Sequence, residues 1–218
     1  MKMLITPKSS PKVIKRKTKT KVLLKEEKCL DIEINPSYLF SDLDIMNYLK
    51  KTITNKKVYI INPCIIELIN DKEIEIFNKI QFTENFLEAS IILAPINIKK
   101  CHWILYVCRL VDRRERCAYY IDPIRTKFEK DEATKKCKIL TKKIQLERRL
   151  KKKIAYQEEF KKKYLPQYQT NDFDCGPLVC GYAVNVAFGK SVETINIKRI
   201  RQEVELEARE IPKISKAS

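Results

Sequence analysis

Residues 175–188, CGPLVCGYAVNVAF, contain no charged side chain, in a chain of which 33% is charged. A helix of that composition is apolar on every side and has to be buried. The chain has only three glycines, Gly176, Gly181 and Gly189, and all lie in or just after this stretch. Gly189 fits a C-terminal helix stop. Asp174 stands where an N-cap belongs, and Pro177 is tolerated in a first turn. The expectation is a buried helix beginning at Cys175, with the other elements packed around it.

At 218 residues the chain suits one domain with a tail, and 44% hydrophobic content is enough for a real core. No segment reaches the roughly 18 uncharged apolar residues of a membrane span. The opening MKMLITPKSSPK turns polar too soon for a signal peptide. These features lead us to expect a soluble protein of the nucleus or cytoplasm, with no membrane partner. Eight cysteines then read as reduced thiols. No C-x-x-C occurs and the single histidine adjoins only one cysteine, so no metal is expected.

The net charge of +17 is concentrated. Residues 1–28 carry ten Lys/Arg against two Glu, and residues 127–163 carry fifteen against six acidic residues. The remainder is neutral, with twenty of each sign. Two basic segments on a neutral body suit nucleic acid or an acidic protein as partner, or are simply solvated. Residues 1–28 have little to bury and read as a basic flexible tail, which leaves 29–218 as the domain.

CLDIEI (29–34) alternates like a short strand. SDLDIMNYLKKTI reads as a helix with Ser41 as N-cap and Asp44 three residues on. VYIIN is a strand or a helix start, and CIIELI a short helix. SIILAPI, CHWILYVCRLV and RCAYYIDPI are strand-like, the last two forming an antiparallel hairpin around DRRE. Residues 127–163 hold at least one helix, with Ala133, Cys137, Leu140 and Ile144 at helical spacing. YLPQYQT is extended or loop, and a last helix spans about 194–210 with Ile197, Ile200 and Val204 inward.

The chemistry centres on Cys175. A helix N-terminus favours an anion, and so a thiolate. A charged Asp174 pulls the other way. Gly176 leaves bare backbone beside the sulfur. On position alone Cys175 is either a nucleophile or a buried structural cysteine. A nucleophile needs a base, and the chain has one histidine, His102, at the start of the first hairpin strand. Asp122 ends the second. In an antiparallel pair those two ends are neighbours, so the carboxylate can orient the imidazole. Asp122 also suits a plain turn before Pro123. Cys101 adjoins His102, but successive strand side chains face opposite ways, so it is not expected in the site. Cys180 should lie deep in the buried helix.

HWILYV, YYIDPI and QTNDFDCG, in that order, resemble the ubiquitin-like-protease family of cysteine peptidases. That family includes the SUMO-specific proteases and is related to adenovirus-type maturation proteases. The resemblance implies an α+β, papain-like fold, with a central helix carrying the nucleophile and a small, mostly antiparallel sheet carrying the His and Asp. It implies Cys175 as nucleophile, His102 as general base and acid, Asp122 as orienting residue and Gln169, six residues before Cys175, as oxyanion donor. No cofactor is implied. The substrate would be the C-terminal tail of a ubiquitin-like modifier or its conjugates.

In the family the tryptophan after the histidine, here Trp103, helps form a tunnel over a Gly-Gly tail, with Gly176 beside the sulfur. The family's first helix begins Trp-Leu-Asn-Asp; here the matching residues are Leu39-Phe40-Ser41-Asp42. Either one tunnel wall is missing or Phe40 substitutes for it. Other readings are a maturation protease of a viral or mobile-element polyprotein, an acetyltransferase on a related triad, and a non-enzymatic basic nucleic-acid-binding protein. The charge partition is open to test. Deleting 1–28 should leave cleavage of a small neutral peptide unchanged. It should weaken binding to DNA, RNA or an acidic partner, with a shallower salt dependence. Absence of any polyanion binding at modest salt would mean that both basic segments are merely solvated.

Overall fold

The computed structural model describes residues 35, 37–111, 116–124, 129–157 and 166–210, with side chains to 206. The basic tail expected at 1–28 and the strand expected at 29–34 lie outside the described residues.

Strand β3 (His102–Arg109) is the middle of a five-stranded sheet ordered β1-β2-β3-β4-β5. It pairs antiparallel with β2 (Ile91–Ile98) and with β4 (Cys117–Ile121). The edges β1 (Val58–Ile60) and β5 (Ala155–Tyr156) are parallel to their neighbours. Seven of the eight β3 residues are buried, which is why the strand reads as a continuous apolar run. Alternation divides its side chains between two cores. Trp103, Leu105 and Val107 join one; Ile104, Tyr106 and Cys108 join the other.

The first core is closed by α1 (Asp42–Thr52), α6 (Cys175–Ala187) and α7 (Ile197–Glu210). The second is closed by α2 (Pro63–Glu67), α3 (Ile74–Lys79), α4 (Glu84–Glu88) and α5 (Lys130–Glu147). This is the expected α+β arrangement, with helices on both faces of a small, mostly antiparallel sheet. Helix α6 is the most deeply placed helix: eleven of its thirteen residues are buried, as its lack of charge requires. Its C-terminus closes as a Schellman motif. Gly189 takes φ +67° and donates to the Val186 carbonyl, and Lys190 N–H donates to that of Asn185.

At α1 the expected cap is present. Ser41 Oγ accepts from Asp44 N–H, and the Asp44 carboxylate accepts from Ser41 N–H. VYIIN supplies a strand, and CIIELI the helix α2. The hairpin strands end sooner than the apolar runs do, at Arg109 and from Cys117, so the connection is longer than four residues. Helix α7 begins at Ile197 rather than 194, because Asn196 Oδ1 accepts from Arg199 N–H at its start. Helices α3 and α4 are too short to show a period in the sequence.

Part of the 127–163 charge is spent inside the fold. Lys143 is buried and donates to the carbonyls of Asn78 (2.9 Å) and Ile80 (2.6 Å) at the end of α3. Lys136, also buried, reaches the Asn97 carbonyl and Glu132. No helix among the described residues is long and apolar enough to cross a membrane.

Close packing of α6 makes a sharp test. A Cβ added at Gly181 would lie 2.2 Å from Ile195 Cγ2, on a β-branched side chain that cannot swing aside. Gly181→Ala gains about 1 kcal/mol in helix propensity, which the overlap should exceed. We expect a net loss of roughly 1–2 kcal/mol in urea unfolding. A more stable Gly181→Ala protein would show that α6 is not seated as described.

Candidate active site

Cys175 is the first residue of α6, and its side chain lies in the core beneath β3. Asp174 holds the N-cap position, but its carboxylate makes no capping hydrogen bond, contrary to the sequence expectation. A cap bonds the second or third N–H of the helix. The third residue is Pro177, which has none. A stronger partner lies on α7. Arg201, only 5% exposed, donates to Asp174 Oδ1 through Nε (3.1 Å) and Nη2 (2.7 Å). Asn171 Nδ2 donates to the other carboxylate oxygen at 2.7 Å. Removing one partner of such a buried pair costs about 3–5 kcal/mol. The charge that sequence reading set against a thiolate is therefore paired with Arg201 and held by Asn171.

His102 opens β3 and is 3% exposed. Its Nε2 donates to Asp122 Oδ1 at 2.8 Å. Asp122 follows β4, and the β3–β4 register brings the two strand ends together. The same Asp122 oxygen accepts from Ile124 N–H at 2.8 Å, so the turn aspartate and the histidine's partner are one residue. The Cys175 sulfur also lies close enough to the imidazole to influence its protonation. Burial disfavours the imidazolium, but the hydrogen bond and charge of Asp122, with the nearby Cys175 sulfur, outweigh it. The His102 pKa is raised from 6.5 to about 9.

Gln169 lies on the loop leading to α6. Its backbone N–H donates to the Pro123 carbonyl (2.9 Å), tying this loop to the Asp122 turn. Its side-chain Nε2 donates to the Asn171 carbonyl (2.8 Å), using one of two amide hydrogens. Asn171 Oδ1 in turn accepts from the N–H groups of Phe173 and Asp174. Trp103 Nε1 donates to the Phe40 carbonyl (3.1 Å), and the Phe40 side chain packs on Gly176, where an added Cβ would meet Phe40 Cβ at 2.7 Å. Phe40 is buried, whereas Leu39 is 59% exposed. Cys101 lies in the turn before β3, exposed, with its thiol toward the Ile98 carbonyl. Cys180 is fully buried, and burial pushes its thiol pKa up.

The seven residues singled out in the sequence thus gather around the start of α6. Sequence reasoning missed Asn171 and Arg201. Asn171 sits in the quoted QTNDFDCG motif but carries no signal of its own role. Arg201 falls beside the inward positions of an amphipathic helix, where a basic residue reads as surface.

A family model described as the Ulp1 protease family, C-terminal catalytic domain, matches residues 20–214. The chain belongs to that family. It is therefore a cysteine peptidase domain, and its fold is that of solved Ulp1-type proteases. One is the C-terminal Ulp1 protease domain in complex with Smt3, the yeast ortholog of SUMO. It is 16% identical, with 80% of each chain covered and a TM-score of 0.60. The Chaetomium thermophilum Ulp1-like SUMO protease catalytic domain is 18% identical, with 79% of this chain and 71% of that one covered and a TM-score of 0.55. The Xanthomonas campestris effector XopD, solved bound to ubiquitin, is 14% identical, with coverage of 84% and 99% and a TM-score of 0.53. The comparison with curated protein sequences gave no match.

The one imidazole in the chain gives an unambiguous NMR signal. In the folded protein it should titrate near 9, and Asp122→Asn should move the midpoint down. Since the folded value lies above 6.5, the stabilisation it brings is complete below pH 6.5 and lost as pH rises through about 9. A midpoint at or below 6.5 in the wild type would mean that burial, not the pairing, governs this side chain.

Proposed function

We propose that this Ulp1-family domain hydrolyses the peptide or isopeptide bond at the C-terminal tail of a ubiquitin-like protein, with Cys175 as nucleophile. The observation that carries the reading is the His102 imidazole, bonded to Asp122 through Nε2 and close enough to Cys175, the first residue of α6, for the sulfur to act on its protonation. His102 takes the Cys175 proton as the sulfur adds to the scissile carbonyl. The tetrahedral intermediate collapses to an acyl-thioester, and His102 gives its proton to the departing amine. Water then adds to the thioester with His102 as base, releasing the carboxylate and restoring the thiol.

The oxyanion formed in each addition needs fixed donors. We assign the Cys175 backbone N–H and the second amide hydrogen of Gln169, whose side chain is held through Asn171. Trp103 and Gly176 would border the substrate tail. Leu39, exposed at the position of the family's tryptophan, would offer a smaller apolar wall, while Phe40 backs Gly176 from the core. The Smt3 and ubiquitin complexes of structural neighbours support this substrate class. The basic segments would meet acidic surface on the substrate or its carrier.

The test is turnover of a panel of ubiquitin-like modifier–fluorophore conjugates, polyprotein peptides and acetyl-CoA. Wild type should cut a modifier conjugate. Cys175→Ala should abolish turnover while retaining binding, and full activity in that variant would overturn the mechanism. Gln169→Ala should raise the barrier by about 2.7–4 kcal/mol, in kcat with KM almost unchanged. A pure KM effect would make Gln169 a substrate-positioning residue instead.

A further inference from the structure

Two other segments meet on one side chain of α7. Besides its two bonds to Asp174, Arg201 donates through Nη2 to the Phe173 carbonyl (2.9 Å) and through Nη1 to the Tyr38 carbonyl (2.8 Å). Its guanidinium lies between the Phe40 and Phe173 rings, 5.6 Å from each centroid. Phe40 packs on Gly176, and its carbonyl accepts from Trp103. Every segment that borders Cys175 on the helix side thus leans on this one group.

The start of α6 has few donors to give. Pro177 has no N–H, and Leu178 N–H already donates to the Asp174 carbonyl. The Cys175 and Gly176 N–H groups are the remaining pair. An Asp174 carboxylate released from α7 would be left beside the start of α6, where the Gly176 N–H has no side-chain cap. There it would place a negative charge beside the sulfur and occupy a donor that the reacting centre needs. The ionisable groups on the sheet side are His102 on β3, which influences Cys175, and its partner Asp122 after β4, whereas the Asp174 carboxylate is bonded to Asn171 and Arg201.

We propose that Arg201 is a positioning residue for the reaction: it holds the Asp174 carboxylate off the start of α6, so that the N–H groups there serve Cys175 and the substrate carbonyl. This rests on the reading of Cys175 as nucleophile. Arg201→Lys keeps the charge but loses the fork that spans a carboxylate and two carbonyls. Arg201→Gln loses both.

The experiment measures the pH dependence of Cys175 alkylation by iodoacetamide in the full chain, resolved from other cysteines by peptide mass spectrometry, alongside kcat/KM on the best conjugate. Arg201→Gln should raise the alkylation midpoint by about one pH unit or more and lower kcat/KM about tenfold or more. Arg201→Lys should fall between it and wild type. Adding Asp174→Asn to Arg201→Gln should return the midpoint to within a few tenths of wild type, because the competing charge is gone. A merely structural role would lower unfolding stability and leave the midpoint of the folded fraction in place; that result overturns the proposal. Should Arg201→Gln fail to fold, Asp174→Asn alone decides. It leaves the guanidinium and removes the carboxylate, so its midpoint should fall below wild type, and an unchanged or higher one overturns the proposal. Wild-type Cys175 that shows no more thiolate character than the exposed Cys64 would instead overturn the nucleophile reading itself.

Discussion

Helix α6 packs against the odd-numbered side chains of β3, an uncharged helix on a strand with no exposed face to spare. Leu178, Val179, Cys180, Tyr182 and Ala183 are all fully buried, each larger apolar side chain contributing about 1.5–3 kcal/mol by leaving water. That contact fixes the height of Cys175 relative to His102, because both sit at the ends of the two packed elements. Gly181 lets Ile195 approach the helix closely, and Gly176 does the same for Phe40. The scarce glycines are placed where neighbours press on α6, and where its chain must turn away at Gly189.

Around this apolar contact the polar groups form two separate sets. His102, Asp122 and the Ile124 N–H make one, on the sheet side. Asp174, Asn171 and Arg201 make the other, on the helix side. Cys175 lies between them. Two carboxylates near one thiol would both oppose its ionisation if left free. Here one is bonded to the His102 imidazole, and the other is paired with a buried guanidinium. The arrangement explains how an acidic residue can directly precede a cysteine proposed to react as an anion.

Much of this was legible in the residues. Absence of charge marked α6 as buried, and antiparallel pairing of the hairpin strands placed His102 and Asp122 at one end of it. Ser41 and Asp44 announced the start of α1. Short elements were not legible: α3 and α4 span six and five residues, less than the two turns a periodic signal needs. Buried charges were not legible either. Lys136, Lys143 and Arg201 occupy inward positions because their partners are carbonyls and carboxylates supplied by distant segments. A one-dimensional pattern scores such residues as surface. Asp174 was misread as a cap for the same reason, since its true partner lies 27 residues further on.

The Trp103 indole is the only one in the chain, is 4% exposed, and is hydrogen-bonded to the backbone of the segment entering α1. Its emission therefore comes entirely from the seam between β3 and residues 38–40. Any event that parts the two, whether a modifier tail sliding between them or loosening of the Arg201 clamp, exposes the ring to water and shifts the spectrum to the red. The domain carries its own optical gauge of that seam, readable in catalytically dead variants and without a label.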